Sequence, residues 1–532
     1  MRLHNASPKE AHPKSAGRWR FASSFLEKPR RALVLILVMV VVALLTLGGL
    51  TFSELMLNEH RAAVLVVHQA QARAAADSAI EAIRYFLALP IDVQHEMGGW
   101  YNNEQQFRGV LLRDDEDPRG RSRFSIVAPT ADDGSGFAGA RYGIEDESTK
   151  LNLNALAAIE KKTPGAGRDL LLALPGMSED IADAILDWMD ADDEPREFGA
   201  EVDYYLGLDP PYVPKNGPLE TIEELLLVRG VTPALLFGAD ADRNGFADSD
   251  DALIAAEGVD NSEGRLDRGW AGYLTLCSLE TNTRPDGSTK IDVNQSDMQK
   301  LYDELVEALG NEDWAAFIVA YRQNGPYTGT KPGELISGKT PDLKQKGVVK
   351  LSTILDLIGA RVQARFPGER QAVVLESVFP EVPGVMNVYL PLLMDNLTVN
   401  PQKVIPGRIN INQAPRAVLE GIPGMTGELL DTILSQREVD PVARDPGRDY
   451  ETWLLTEGLV SLDEMKTLMP FVCAGGSVFR LQAVGYFDGG GPSARVEAII
   501  DTTESKPKLI FWRDLTHLGR GFSLETLGVG GF

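Results

Sequence analysis

Residues 32–50 read ALVLILVMVVVALLTLGGL, nineteen residues without a charge. At about 1.5 Å per residue they make a helix of about 28 Å, close to the hydrocarbon thickness of a bilayer. Thr46, Gly48 and Gly49 do not break this reading, because a helix satisfies its own backbone groups in lipid. Residues 1–31 hold eight Lys or Arg against two acidic residues and end in Lys28-Pro29-Arg30-Arg31. That bias keeps the N-terminus cytoplasmic and sends the C-terminal bulk across the membrane. A cleaved secretory signal fits less well, since the apolar run is long and no small-x-small site with a polar linker follows it. Instead the chain continues rich in Ala, Leu, Glu and Arg, without Pro or Gly between Leu50 and Leu89. One helix is therefore expected to run on as a stalk until Pro90 stops it. Leu55, Ala62, Val66, Ala76, Ala79, Ile83 and Phe86 form its expected packed stripe.

The chain has 532 residues and a net charge of -25, and the basic leader makes the remainder more acidic still. Nonspecific nucleic-acid binding, which runs on phosphate neutralisation by Lys and Arg, is disfavoured. An acidic exported domain suits divalent cations. Two cysteines, Cys277 and Cys473, sit in no metal or redox motif, and their separation leaves a disulfide open.

After the stalk, residues 91–150 switch to short segments. FSIVAP and ARYGIEDES read as strands of a small sheet. An internal echo follows. LNLNALAAIEKKTPGAGRDLLLALPGMSEDIADAILDWM (151–189) and ININQAPRAVLEGIPGMTGELLDTILSQR (409–437) both open on hydrophobic-Asn-hydrophobic-Asn and pass through a Pro-Gly-Met turn into a second apolar-periodic helix. The Asn residues, Asn152/Asn154 and Asn410/Asn412, stand where a helix cap is wanted. A degenerate third copy of the opening starts at Ile291. These are helix-hairpin-helix units, whose turn can present backbone N–H groups to phosphate. Here the second helices carry Glu179, Asp180, Asp183 and Asp187, or Glu428 and Asp431, which would repel a DNA backbone. An architectural role is expected instead.

Residues 219–237 read as helix, Gly turn and short helix. Helical patterns appear at 298–323 and 348–364, with a polar loop between them. Residues 375–399 show no clear period. SVFRLQAVGYF (477–487) and ARVEAIIDTT (494–503) flank a glycine-rich turn and read as a hairpin, with KLIFWRDL (508–515) as a third strand and a tail beyond.

The sharpest chemical motif is DADRNGFADSDD, residues 240–251. Asp240, Asp242 and Asn244 fall at positions 1, 3 and 5 of a calcium loop. Gly245 is at the sharp turn, Phe246 would offer its carbonyl at 7, and Asp248 stands at 9. Asp251 closes the loop at 12, where Glu is usual. Calcium takes six to eight hard oxygen ligands, and this spacing wraps them round one ion, structural and not catalytic. A solvated acidic loop is the plainer alternative. A second acidic cluster, Asp187, Asp190, Asp192, Asp193 and Glu194, lacks fixed spacing and reads equally as a cation site or a solvated helix end. No HExxH, GxSxG or Walker motif occurs. The six His residues, at 4, 12, 60, 68, 95 and 517, lie mostly in leader, stalk and tail. No enzyme is expected.

Taken together, several stretches make the chain resemble the minor pseudopilin K family of the type II secretion system, also called general secretion pathway protein K. They are RRALVLILVMVVVALLTL, QARAAADSAIEAIRYFL, GIEDESTKLNLNAL, LPGMSEDIADAILDWMDADDEPREFGAEVDYY, PPYVPKNGPLETIEELLLVRG, ININQAPRAVLEGIPGM and VFRLQAVGYF with ARVEAIID. The DWxDxDxxP…GAExxYY…PPYxPKN run is the most specific, and residues 300–400 match least. The resemblance implies an α+β fold: a long N-terminal membrane and stalk helix packed on a small mixed or antiparallel pseudopilin sheet, with a large, mainly helical insert. It further implies a place at the tip of the periplasmic pseudopilus, I-type and J-type minor pseudopilins as partners, an inner-membrane secretion platform, and calcium binding. Trimming by a prepilin peptidase is implied at Arg30-Arg31-Ala32-Leu33, where Ala32 departs from the family's Gly. Leu37 stands fifth after that cut, where most pseudopilins have Glu, and its absence fits the K subunit.

The expected divisions are a cytoplasmic leader (1–31), a transmembrane segment (32–52), a stalk (53–89), the first part of the head (90–150), an insert (151–470), returning strands (471–516) and a tail (517–532). The leading expectation is a single-pass inner-membrane protein that caps or initiates the pseudopilus and supports export of folded proteins. A membrane-tethered periplasmic calcium-binding recognition module is the alternative, and an envelope DNA-binding protein the remoter one.

Overall fold

The computed structural model describes residues 29–130, 140–240, 242–245 and 268–530. The basic leader up to residue 28 and the calcium-loop positions Phe246, Asp248 and Asp251 lie outside the described residues. The chain divides into two compact units, Met1–His68 and Gln69–Phe532. The first helix, Pro29–Leu87, is 59 residues long. In the first unit its apolar side chains from Leu33 to Val67, with Leu55 and Val66 among them, are exposed. Among the described residues it is the one helix long and apolar enough to cross a membrane.

Within the second unit, the helix turns from Ala72 to Phe86 bury Ala72, Ala76, Ala79, Ile80, Ile83 and Phe86 against a sheet. Alanine at spacings of three and four brings the helix backbone close, and Ile and Phe fill the space beyond. The sheet is antiparallel, and its main strands run in the spatial order Val110–Arg113, Ser122–Pro129, Val478–Phe487, Ala494–Asp501, Lys508–Asp514. Short strands at Ala140–Arg141 and Glu145–Asp146 add to its second and third members. The period-two alternation divides the central strand cleanly. Phe479, Leu481, Ala483 and Phe487 face the helix, while Val484 and Tyr486 face the other way. Phe522, Leu527 and Val529 cover that second face, so the residues expected to be a tail are part of the core. Their glycine-rich surroundings hide this from a composition reading.

The insert between Glu147 and Ser477 holds the largest core, built mainly from helices. Its three copies of the hydrophobic-Asn pattern are true structural repeats. Each opens on a two-residue parallel ladder: Leu151–Asn152 with Leu274–Thr275, Ile291–Asp292 with Leu397–Thr398, and Ile409–Asn410 with Val472–Cys473. The Asn side chains clip distant loops instead of capping a helix. Asn154 accepts from Leu219 N at 2.8 Å and donates to its carbonyl at 3.0 Å. Asn294 does the same to Leu351 at 2.9 Å both ways. Asn412 donates to the carbonyls of Arg448 and Ala474 at 3.0 Å. A buried amide needs both a donor and an acceptor satisfied, and a facing peptide unit offers both.

The two Pro-Gly-Met turns place Gly176 and Gly424 at φ +69° and +89°, conformations that favour glycine. The two hairpins pack on each other: a Cβ on Gly421 would come 2.8 Å from Leu170 Cα. The expected helix at 348–364 is instead a single 3-10 turn, Ile354–Leu357, and a strand, Arg361–Ala364. Gly359 at φ +62° separates them. The stretch without a readable period contains a helix, Pro383–Asn396. Residues 298–323 form two helices, Met298–Leu309 and Glu312–Asn324, broken at Gly310. Cys277 and Cys473 are both free thiols.

Candidate functional site

The described half of the DADRNG loop folds around its own backbone. Asp240 accepts from Asn244 N and Gly245 N, each at 3.0 Å. Asp242 accepts from the same Asn244 N at 3.0 Å and from Asn244 Nδ2 at 3.2 Å. Arg243 at φ +58° and Gly245 at φ +70° make the turn sharp. The loop is fixed to the sheet and the C-terminal segment, because Gln482 donates to Arg243 O at 2.6 Å and Asn244 to Gly521 O at 2.8 Å. Two inward carboxylates and an amide are the hard oxygen donors that the first half of a calcium loop needs. One feature competes with a cation. The fully buried Arg495 donates to Asp242 O, and its Nη1 lies 3.8 Å from Asp242 Oδ2. Burial holds this guanidinium below its ordinary range, and Asp242 and Asp240 oppose that shift.

The second acidic cluster is the more unusual chemically. The helix Glu179–Met189 buries Asp183 and Asp187. Arg168 compensates Asp183 at 2.8 Å, and Arg196 is shared between Asp187 and Asp190 at 2.6 Å each. Asp193 accepts from Asn216 at 3.0 Å. Into this cluster comes Glu201, only 4% exposed. Neither of its carboxylate oxygens has a hydrogen-bond partner, nor does Asp190 Oδ1. Its carboxyl is pushed up to about 7, first by burial and then by Asp187, Asp190, Asp193 and Asp192. A buried acid with both oxygens unmet, beside four aspartates of which two share Arg196, is the donor set a divalent cation would complete. Among the described residues no three His, Cys, Asp or Glu side chains already stand at ligand spacing, so a bound ion would have to draw the cluster together. Glu201 was not singled out in the sequence. It was visible there only as the Glu of a Gly-Ala-Glu run, twelve residues past Met189.

Where the insert leaves and rejoins the sheet, a buried ionic network ties the two. Glu147, fully buried, accepts from Arg480 Nε at 2.7 Å and Nη2 at 3.0 Å, and from Lys150 at 3.3 Å. Thr275 also donates to it. Arg480 reaches on to Glu497 at 2.9 Å, and Lys150 to Glu145 at 2.7 Å. Burial would raise the Glu147 carboxyl, but Arg480 and Lys150 outweigh it and hold the group well below the usual carboxylate range. Next to it, Asp146 accepts from Asn410 at 3.0 Å and from Gly476 N at 2.7 Å, joining the exit of the insert to its return. A cavity of about 310 Å³ lies between this face of the sheet and the insert, with Lys150, Arg480, Arg513, Glu223 and Glu497 on its wall. Each of those five is already in an ion pair. Cys277 faces the same cavity, its thiol pushed up to about 11 by burial and by Glu147, which leaves it a poor nucleophile.

Of the residues expected at the processing point, Arg30, Arg31, Ala32 and Leu33 all lie inside the first helix, and Leu33 is exposed.

Residues 149–237 match the family model described as type II secretion system, protein K. This segment includes the first hairpin unit and the Glu201 cluster. Type II secretion system protein K of Pseudomonas aeruginosa is 38% identical over 96 residues, covering 17% of this chain and 29% of the relative. Its counterpart from Pectobacterium carotovorum is 34% identical over 100 residues, covering 16% and 30%. The chain thus matches about three-tenths of the length of these relatives. A chain of the GspK-GspI-GspJ complex from the enterotoxigenic Escherichia coli type 2 secretion system aligns over 84% of this chain and 97% of its own, at 13% identity and a TM-score of 0.34. The similarity to type II secretion system protein K is thus carried by residues 149–237 in the family model and by about a hundred residues in each relative.

Proposed function

We propose that this chain is a non-enzymatic minor pseudopilin, placed at the tip of the periplasmic pseudopilus and supporting export of folded proteins across the outer membrane. The observation that supports this best is the double use of one helix. Its apolar turns from Leu33 onward have the length and composition of a membrane anchor, and the turns from Ala72 to Phe86 form the floor of a sheet core. A helix of that kind can leave the bilayer and pack among like helices while it carries a folded head. The basic leader supports a cytoplasmic N-terminus and a periplasmic head. The similar protein in the solved complex is found with GspI and GspJ, and I-type and J-type minor pseudopilins are the partners in this reading, with the inner-membrane platform beneath them. Leu37 provides no carboxylate for a neighbour's freed N-terminus, which suits the end of a fibre.

Deleting the chain in its host is expected to abolish or strongly reduce export of secreted enzymes, and the full chain is expected to restore it. Unchanged export in a strain without a second copy would overturn the reading. Processing between Ala32 and Leu33 is read separately, from the mass of the functional protein; an intact Met1 excludes it.

The same reading gives the head calcium as a structural ion, through the Asp240–Asp251 loop, the Glu201 cluster, or both. At a free calcium concentration about a hundredfold above Kd, one such site adds about 2.7 kcal/mol. The melting temperature of the full chain in detergent is expected to rise with calcium and fall with chelator. Asp240→Ala removes the gain that belongs to the loop, and Glu201→Gln the gain that belongs to the cluster. Equal melting of the unaltered chain in calcium and in chelator sinks both.

A further inference from the structure

The segment after the first hairpin unit presents a surface that its own fold does not use. Phe198, Tyr204, Leu206, Val213 and Leu227 are between 37% and 57% exposed. They lie together. Arg229 donates to the Phe198 carbonyl and stacks 5.4 Å over the Tyr204 ring. Tyr204 meets Tyr205 edge-on at 5.2 Å, Tyr205 meets Tyr212 at 5.3 Å, and the Tyr212 hydroxyl donates to Leu227 O at 2.8 Å. The base is rigid, because Trp188 packs against both Tyr205 and Tyr212 from within the core. An aromatic and aliphatic centre held on a stiff base is what a protein contact requires.

The rim gives the sign of the partner. Asp192, Asp193, Glu194, Glu197, Asp203 and Asp209 are all exposed. Between residues 192 and 213 the sole basic residue is Arg196, and it is occupied by Asp187 and Asp190; the one further cation on this face, Arg229, is held against the Phe198 carbonyl and the Tyr204 ring and is outnumbered by the six acids. A second copy of this chain would bring the same acids face to face, and a bilayer of anionic lipid would repel them.

We infer that the Phe198–Val213 face, with Leu227, is a docking surface for another protein whose contact patch is an apolar centre ringed by Lys and Arg. This goes beyond the pseudopilin reading, which assigns partners to the chain but no surface of the insert to any of them. Its sign does not depend on a bound cation, because Glu197, Asp203 and Asp209 of the rim stand outside the candidate cation cluster.

The test places a photoreactive benzoylphenylalanine at Tyr204 of the full chain in its native host, with the same residue at exposed Val348 as the control position. Irradiation is expected to give an adduct at Tyr204 and not at Val348. The sequenced peptide should carry Lys or Arg beside an apolar side chain. Glu197→Lys with Asp203→Lys is expected to lower the adduct yield about tenfold, because the like-charge rim then opposes the partner. Glu197→Gln with Asp203→Asn should lower it less, and unchanged melting temperatures in both double variants show that the fold is intact. The inference is overturned by no adduct above the Val348 level, by an adduct with a second copy or with lipid, or by a yield indifferent to charge reversal. Export is scored in the same strains. An adduct without an export defect leaves the docking surface standing and shows that export does not require it, whereas the pseudopilin reading itself falls only with the deletion result.

Discussion

Glu147→Ala is expected to destabilise the head by about 3–5 kcal/mol at neutral pH, the scale of breaking a buried ion pair by removing one partner. The Glu147 carboxylate has no exposed surface and takes two guanidinium N–H bonds from Arg480, one bond from Lys150 and one from Thr275. Without it, Glu497 still holds Arg480 Nη1 and Glu145 still holds Lys150. Arg480 Nε and Nη2 are then left in the interior with no acceptor. The loss should depend on pH. The folded-state carboxyl titrates below its ordinary value of 4.5. Its contribution is therefore complete above that value and fades as the pH falls towards the folded one. The gap in melting temperature between the unaltered chain and Glu147→Ala should be widest near pH 7 and shrink steadily below pH 4.5. An absent gap would show that the network contributes little, and one equally wide at pH 7 and pH 3 would show that the carboxylate charge is not its source.

Gly485→Ala should be comparably severe for a steric reason. Gly485 lies in the central strand opposite Phe124 and Ala494, directly beneath the first helix. A methyl group there would overlap the carbonyl oxygen of Ala72 and come 2.7 Å from Ala76 N and 2.9 Å from Ala75 Cβ. Two of these three are backbone atoms, so no side chain can swing away. The helix must lift, and Ala72, Ala76 and Ala79 lose their contact with the sheet. Overpacking of this kind costs about 1–3 kcal/mol where side chains can adjust, and the upper end or more is expected here. Hydrogen exchange over residues 72–86 should accelerate strongly while the helices of the insert stay protected. Unchanged exchange in that segment would mean that the helix is not seated as described.

How far the sequence alone reaches depends on what kind of signal each part carries. The run 32–50 and the alanine spacing from Ala72 to Ala79 are one-dimensional patterns and read directly. The paired Asn residues were legible as a repeat. Their role was not, because Leu219 and Leu351, the peptides they clip, lie more than fifty residues away along the chain. The Pro383–Asn396 helix was hidden by Pro391 and by apolar residues on all its sides, which erase a period. The segment at 348–364 misled because Leu and Ile recur at helical spacing before Gly359, and Ala and Val continue the apolar pattern after it. Half of the candidate cation chemistry was legible, since the DADRNG spacing is local. Glu201 was not, because its significance lies in having no partner, and that appears only when Asp187 and Asp190 are folded around it.

The Ser122–Pro129 strand pairs with Val478–Phe487 across some 360 positions of chain. The three ladders of the insert, by contrast, each close within their own repeat. A chain that folds in the order of its sequence would therefore complete the helical repeats before the last strands arrive. Until then the alanine-lined helix face and the Phe124–Ile126 strand lack their central neighbour, and long-range closure of this kind is intrinsically slow. The head is thus the last part of the molecule to mature, and the interval before it closes is when the chain most needs protection from aggregation and proteolysis.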